Sequence, residues 1–272
     1  VFRGSISLEE LVRKINTIQN HKIIEIIFVF DYGNKESWIT IKNLVARNDK
    51  CKAIHLSRNY GQHNATICGI EYSKGDFIIT IDEDCQHDPH EIKLLIKEQI
   101  KFDYDLVYGV YSQLNHSFFR NTTSKILKKL LLFGIPNLSK DYSSFRLIKS
   151  EIAKKIVNMK NSYTFLDGYL TWLTENVSSV KVSHNKSKSG KSSYDLRKLI
   201  EHFINIFVTF SGKPIRILSY LSTIFFVTSF IYTIYIIISS YTLVDYKSGF
   251  PTIVSILGFG FGSLLLGLGI IG

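Results

Sequence analysis

The sequence predicts an α/β fold with a doubly wound, mostly parallel sheet, followed by an interfacial amphipathic helix and a two-helix transmembrane hairpin. Three observations lead there. Apolar runs of strand length alternate with segments of helical spacing over the first half of the chain, as in βαβ units. Three of these runs end in polar, turn-rich loops, and open α/β sheets bind ligands at the C-terminal ends of their strands. After Arg216 come two long runs without formal charge, each long enough to cross a bilayer.

Taken in order, Ser7-Leu8-Glu9-Glu10 reads as a capping box opening an amphipathic helix with Leu8, Leu11, Val12, Ile15 and Ile18 on one face. Residues 23–30 form an apolar run broken only by Glu25, the pattern of a central parallel strand. The loop Asp31-Tyr32-Gly33-Asn34-Lys35-Glu36-Ser37 leads into a helix through about Val45. Residues 53–56 are a short strand, and the loop after it, Ser57-Arg58-Asn59-Tyr60-Gly61-Gln62-His63-Asn64, precedes a helix ending near Tyr72. Gly75-Asp76 stops the chain before the strand 77–81.

That strand ends in Asp82-Glu83-Asp84-Cys85-Gln86. Carboxylates one residue apart on an extended segment point the same way, which gives a hard divalent cation two oxygen ligands, with Gln86 within reach as a third. A bare Asp-x-Asp is also compatible with a solvated turn. Asp88-Pro89-His90-Glu91 then starts a helix, with Asp88 as N-cap, Pro89 at the first position and Glu91 completing a capping box.

Residues 106–110 read as another strand, 118–133 as a basic helix carrying Arg120, Lys125, Lys128 and Lys129, and Asp141 to Arg146 as the lead into a helix near Ser150. Residues 184–194 are too hydrophilic to pack. Leu196, Leu199, Ile200, Phe203, Ile204, Phe207 and Phe210 form one apolar stripe leading to Lys213-Pro214-Ile215-Arg216, the pattern of a helix lying in a membrane interface. Spans follow at about 217–244 and 250–272, the second rich in glycine for close helix contact. The chain thus divides into a globular domain over 1–194, a juxtamembrane helix over 195–214 and two spans within 215–272. The basic flank before the first span places the globular part in the cytoplasm of a multi-pass inner-membrane protein.

Charge is distributed unevenly. Residues 1–111 hold 14 Lys and Arg against 16 Asp and Glu, a net of −2, whereas residues 112–216 hold 18 against 6, a net of +12. A basic segment leading into an apolar one suits an anionic membrane surface or a phosphate-bearing substrate. With no nucleic-acid module present, no nucleic-acid partner is expected. Cys51, Cys68 and Cys85 lack metal-ligand pairing and read as reduced, packed thiols. The chain opens at Val1 without an initiating Met, and the strand expected before Val1 is read as largely truncated.

The ordered set Asp31-Tyr32-Gly33, Leu56 to Asn64, Gly75-Asp76, Asp82 to Gln86, Asp141 to Arg146 and Gly190-Lys-Ser-Ser-Tyr194 before two spans resembles a known family. These are the family 2 glycosyltransferases of GT-A fold that load polyprenyl phosphates, among them dolichyl-phosphate mannose synthase and bacterial undecaprenyl-phosphate sugar transferases. The resemblance implies transfer of a sugar, with inversion, from a nucleotide-diphosphate sugar to undecaprenyl or dolichyl phosphate at the cytoplasmic membrane face. It places Asp31, Arg58, Asn59, Gln62, Asp82 and Glu83 on the nucleotide sugar, and Mg2+ or Mn2+ on Asp82, Asp84 and Gln86. It places Arg120, Ser124, Arg146 and Lys191 on the acceptor phosphate, with Asp84, Arg120, Asp141 and Arg146 as catalytic candidates. A homo-oligomer and a flippase are implied partners.

Three departures stand out: Tyr32 replaces the family's second Asp, and Ser187 and Ser193 replace an Arg and a Lys, with Lys186, Lys188 or Lys191 as substitutes. They leave open an alternative, a catalytically inactive membrane adaptor that only binds nucleotide sugar. A processive polysaccharide synthase should carry Gln-x-x-Arg-Trp, which is not found.

Overall fold

A computed structural model describes residues 1, 5–18, 23–111, 128–159, 163–183, 196–242 and 249–271. The chain forms two compact units, Val1–Thr209 and Phe210–Gly272.

The first unit opens with α1 (Ser5–Asn16), β1 (Ile26–Phe30), α2 (Lys35–Arg47), β2 (Cys51–His55), α3 (Gln62–Tyr72) and β3 (Phe77–Thr80). A 3-10 turn, Pro89–Glu91, enters α4 (Ile92–Phe102), followed by β4 (Leu106–Tyr111) and α5, helical over 128–134. Then come β5 (Arg146–Lys149), α6 (Ser150–Ile156), α7 (Leu166–Leu173), β6 (Val177–Val182) and α8 (Leu196–Phe210).

The strands form two sheets. β1 and β2 pair in parallel, from Ile26 opposite Cys51 to Phe30 opposite His55. The other sheet has the order β3-β5-β4-β6, with β5 antiparallel to both neighbours and β4 parallel to β6. Every strand except β5 therefore follows the expected parallel sense within its sheet. β5, β6 and α7 add to the elements read from the sequence.

Alternation along β1 sends Phe28 and Phe30 to one face, where they pack with Leu8 and Val12 of α1, Ile41 of α2 and Cys51 of β2. The opposite face meets α3 closely enough that a Cβ on Gly69 would lie 3.1 Å from Val29. Under the other sheet, Ile92 and Leu95 of α4 pack on Val107, Leu147 and Val182. Ser7 lies inside α1, which already begins at Ser5, so it does not form the expected cap. Asn34 caps α2 by accepting from Ser37 N at 3.0 Å, and Asp88 accepts from His90 N at 3.1 Å as expected. Glu91 instead accepts from Ser183 Oγ at 2.6 Å.

On α8, Ile200, Ile204 and Val208 form an exposed apolar ridge, while Ile206 and Phe210 are buried. The second unit holds α9 (Lys213–Thr242) and α10 (Phe250–Ile271). Both contain stretches long and apolar enough to cross a membrane, Lys213–Ser239 and Pro251–Leu268. They run antiparallel, with Gly262 against Phe226 and Gly258 against Ser229, where a Cβ would come within 3.0 and 2.9 Å. α9 takes in Lys213 to Arg216, which the sequence reading split between the juxtamembrane helix and the span. Pro214 is tolerated there because first-turn amides have no partner within the helix.

Candidate active site

The loops after β1 and β2 are tied together by one carboxylate. Asp31, only 6% exposed, accepts from Tyr60 N through Oδ1 at 2.7 Å and from Gly61 N through Oδ2 at 2.8 Å. Gly61 has φ +86°, a conformation that favours glycine, and this lets successive amides point at the carboxylate. Asp31 was expected on the nucleotide; both its oxygens are engaged in holding the neighbouring loop. Tyr32 beside it has φ +52° and a side chain 57% exposed. Arg58 and Asn59 are exposed on the second loop. The Arg58 guanidinium lies 4.7 Å from the centre of the Tyr60 ring, and Asn59 Oδ1 accepts from Gly61 N at 3.0 Å.

The third loop carries the paired carboxylates. Asp82 is held from two directions: Gln62 Nε2, at the start of α3, donates to Oδ1 at 2.8 Å, and Ser144 Oγ donates to Oδ2 at 2.5 Å. Asp84 Oδ1 accepts from Gln86 N at 3.0 Å. Between them and Gln86 the chain turns through Cys85, whose φ is +57° and whose buried side chain packs on Leu11 and Ile15. A left-handed residue other than glycine costs on the order of 1 kcal/mol or more. Its anchoring under α1 maintains that turn.

Burial raises the pKa of the Asp82 carboxyl, a rise that Ser144 and Arg146 oppose and the Glu83 charge supports. Burial also raises that of Asp84, and the Asp82 charge adds to it. Two like charges on one half-buried turn are relieved by a cation. Among the described residues no group of three or more His, Cys, Asp and Glu could cage an ion alone. The donor set, two carboxylates with Gln86, suits a hard cation that completes its shell with substrate phosphate oxygens and water.

Arg146 is a correction. Expected on the acceptor phosphate, it lies buried on β5, and its NH1 donates to Asp167 Oδ1 on α7. Tyr108 OH donates to the same oxygen at 2.8 Å. A guanidinium with 4% side-chain exposure is a sheet-interior charge, not a surface ligand. Asp141, expected at the reaction centre, accepts from Ser179 Oγ at 2.7 Å. The Lys128 ammonium lies 5.0 Å from the centre of the Tyr142 ring. Burial lowers the pKa of Lys128, against the pull of Asp141, and that of Tyr142 is pushed up to about 12, first by burial and then by the Asp167 charge.

The model of the family described as Glycosyl transferase family 2 matches residues 6–157, more than half of the chain. The chain belongs to that family. This family 2 glycosyltransferase is 26% identical over 277 aligned positions to the uncharacterized glycosyltransferase YkcC of Bacillus subtilis (strain 168). It is 27% identical over 278 positions to the undecaprenyl-phosphate 4-deoxy-4-formamido-L-arabinose transferase of Edwardsiella ictaluri (strain 93-146). Both alignments take in 100% of this chain and 85% of the relative.

Among solved structures it superposes on glucosyl-3-phosphoglycerate synthase of Mycobacterium tuberculosis bound to phosphoglyceric acid, with a TM-score of 0.58, 13% identity and 76% of each chain covered. The same enzyme with Mn2+, UDP-Glc and phosphoglyceric acid gives a TM-score of 0.57 at 13% identity, covering 76% of this chain and 74% of that one. At these identities the likeness is one of fold, and the fold is GT-A.

In this glycosyltransferase the structure brings together Asp82, Asp84, Gln86 and Gln62, with Glu83 on the same turn and Asp31, Arg58 and Asn59 on the two preceding strand ends. Arg120, Ser124, Lys186, Lys188 and Lys191 lie outside the described residues. Sequence reasoning missed Ser144, Asp167 and the buried stack of His87 on Tyr111, whose ring centroids are 4.4 Å apart. Asp167 had a signal: it is the one carboxylate in the apolar stretch Leu166–Leu173, and buried carboxylates need partners.

Proposed function

We propose that this family 2 glycosyltransferase moves one sugar, with inversion, from a nucleoside-diphosphate sugar to a polyprenyl phosphate at the cytoplasmic face of the membrane. A phosphate oxygen of the acceptor forms the new bond to the anomeric carbon, and the bond from that carbon to the donor's diphosphate breaks. The observation that carries the reading is the paired Asp82 and Asp84 turn at the end of β3, in a chain that also holds two membrane-length helices. Support comes from the relative acting on undecaprenyl phosphate, whose match extends over all of this chain, both helices included.

Asp82, Asp84 and Gln86 would hold Mg2+ or Mn2+, which neutralises charge on the departing diphosphate when bound; Mn2+ accompanies UDP-Glc in the neighbouring synthase. Arg58, Asn59 and Glu83 are assigned to the donor side, and Asp31 fixes the loop that presents Arg58 and Asn59. An acceptor phosphate is anionic at neutral pH, so it needs cations to position it more than a base to activate it. Arg120, Ser124 and Lys191 are assigned that task, because a guanidinium meets phosphate oxygens two at a time. Asp141 is assigned to the same step as a catalytic candidate. The exposed ridge Ile200, Ile204 and Val208 suits α8 to the membrane interface.

Asp84→Ala in the full chain should lower incorporation of labelled sugar into a lipid extract by about 100-fold or more, while membrane association persists. Undiminished incorporation would remove Asp84 from the reaction.

A further inference from the structure

The loop from Asp141 to Phe145 is fixed by its backbone. Thr80 Oγ1 donates to Ser144 O at 2.5 Å, Ser143 Oγ accepts from Phe145 N at 3.2 Å, and Gly109 N donates to Phe145 O at 2.8 Å. The Phe145 ring is fully buried against Gly109, where no Cβ would fit. None of these contacts uses the Ser144 hydroxyl. That hydroxyl reaches out of the loop to Asp82 Oδ2 at 2.5 Å, across 62 positions of sequence. Gln62 Nε2 holds the other oxygen at 2.8 Å from α3, so the plane of the carboxylate is set from two independent elements.

We infer that Ser144 is a positioning residue for the cation site, orienting Asp82 so that its remaining lone pairs face the ion beside Asp84. Partners that orient a ligand carboxylate in this way typically hold ten- to hundredfold of metal affinity. Ser144 also joins the donor-side carboxylate to the loop carrying Asp141 and Tyr142. This inference rests on the reading of Asp82 and Asp84 as cation ligands.

The test is Mn2+ binding to the purified full chain in detergent, read from the electron paramagnetic resonance signal of free Mn2+. It is run with whichever of UDP, GDP, CDP, ADP or dTDP supports the tightest wild-type binding. Ser144→Ala should raise the Mn2+ dissociation constant about ten- to hundredfold, and Ser144→Thr, which keeps the hydroxyl, should stay within about threefold of wild type. Wild-type affinity in Ser144→Ala, or a loss in Ser144→Thr as large as in Ser144→Ala, overturns the inference while leaving the cation site standing. Absence of Mn2+ binding by the wild type, or binding that survives Asp84→Ala, overturns the cation site and the inference with it. Should Ser144→Ala fail to fold, Ser144→Cys carries the same test, because a thiol fills the space but donates weakly; full affinity there is equally fatal.

Discussion

Replacing Asp167 by alanine should be among the most destabilising single changes in the first unit. The carboxylate meets the Arg146 guanidinium with both side chains 4% exposed, and it accepts from Tyr108 OH at 2.8 Å. Burial opposes the charge on Arg146 and Asp167 favours it, with net effect upward, so the guanidinium stays charged and needs its partner. Among the described residues Arg146 Nε has no hydrogen-bond acceptor, and Asp167 is the carboxylate that hydrogen-bonds the guanidinium. Removing one member of a buried pair costs about 3–5 kcal/mol, because the other charge is left uncompensated in low dielectric. The orphaned Tyr108 hydroxyl adds about 1 kcal/mol more. Against a typical stability of about 5–15 kcal/mol, this is a large share of the margin. Trp172, on the same helix as Asp167 and 5.9 Å from the Tyr169 ring, reports the unfolding of α7 by fluorescence in a urea titration. Asp167→Asn keeps an acceptor for Tyr108 and should fall between wild type and alanine. Arg146→Met with Asp167→Leu removes both charges and should recover most of the loss. A cost below about 1 kcal/mol for Asp167→Ala, or a double variant no better than the single, would refute the buried-pair account.

Gly109→Ala puts a Cβ 2.4 Å from Phe145 Cδ1, and a fully buried ring cannot swing away. The urea midpoint should show a loss of about 1–3 kcal/mol, and a neutral result would mean that the β4 and β5 backbones yield more easily than their pairing suggests. Lys154 Nζ donates to the carbonyls of Ile70, Glu71 and Ser73 at 2.6, 2.7 and 2.8 Å, capping the C-terminal end of α3 with a cation. Lys154→Met should cost about 1.5–3 kcal/mol and speed amide exchange in the last turn of α3; unchanged exchange would argue against the cap. At Glu25 burial raises the carboxyl pKa, but Lys52 and the Lys74 amide outweigh it and the net shift is downward. A depressed carboxylate stabilises above its unfolded value and loses that contribution as pH falls through its folded value. Glu25→Gln should therefore flatten the acid limb of a stability-against-pH curve, and an unaltered limb would count against the Glu25 and Lys52 pairing.

What the sequence made legible was local chemistry. The apolar run before Asp31, the Asp88-Pro89 helix entry and the acidic turn between them are fixed by neighbours a few residues away, and each stands where it was expected. What stayed hidden were partners distant in sequence. Arg146 reads as a free cation until Asp167, 21 positions on, is brought against it. Nothing beside Asp31 in the sequence announces the amides 29 and 30 positions later that close on its oxygens. β5 is four residues, Arg-Leu-Ile-Lys, running straight into α6 without a turn signal, so neither periodicity nor punctuation marks it. β6 alternates Val-Ser-Ser-Val-Lys-Val only loosely, and its last residue alone is fully buried.

These same long-range contacts sort the carboxylates near the strand ends by what each still lacks. Asp167 has a guanidinium and a phenol; Asp31 has two backbone amides, one on each oxygen. Among the described residues Asp82 and Asp84 accept from neutral donors, Gln62, Ser144 and the Gln86 amide, and the acidity of both is weakened by burial. Neutral donors orient a carboxylate without cancelling its charge, and two such charges on one turn repel. Asp167 is matched by a full positive charge and Asp31 stands alone on its loop, whereas Asp82 and Asp84 set two like charges on one turn. That asymmetry, more than the spacing of the two aspartates, is what supports the proposal that a cation and a charged donor are received at the β3 turn.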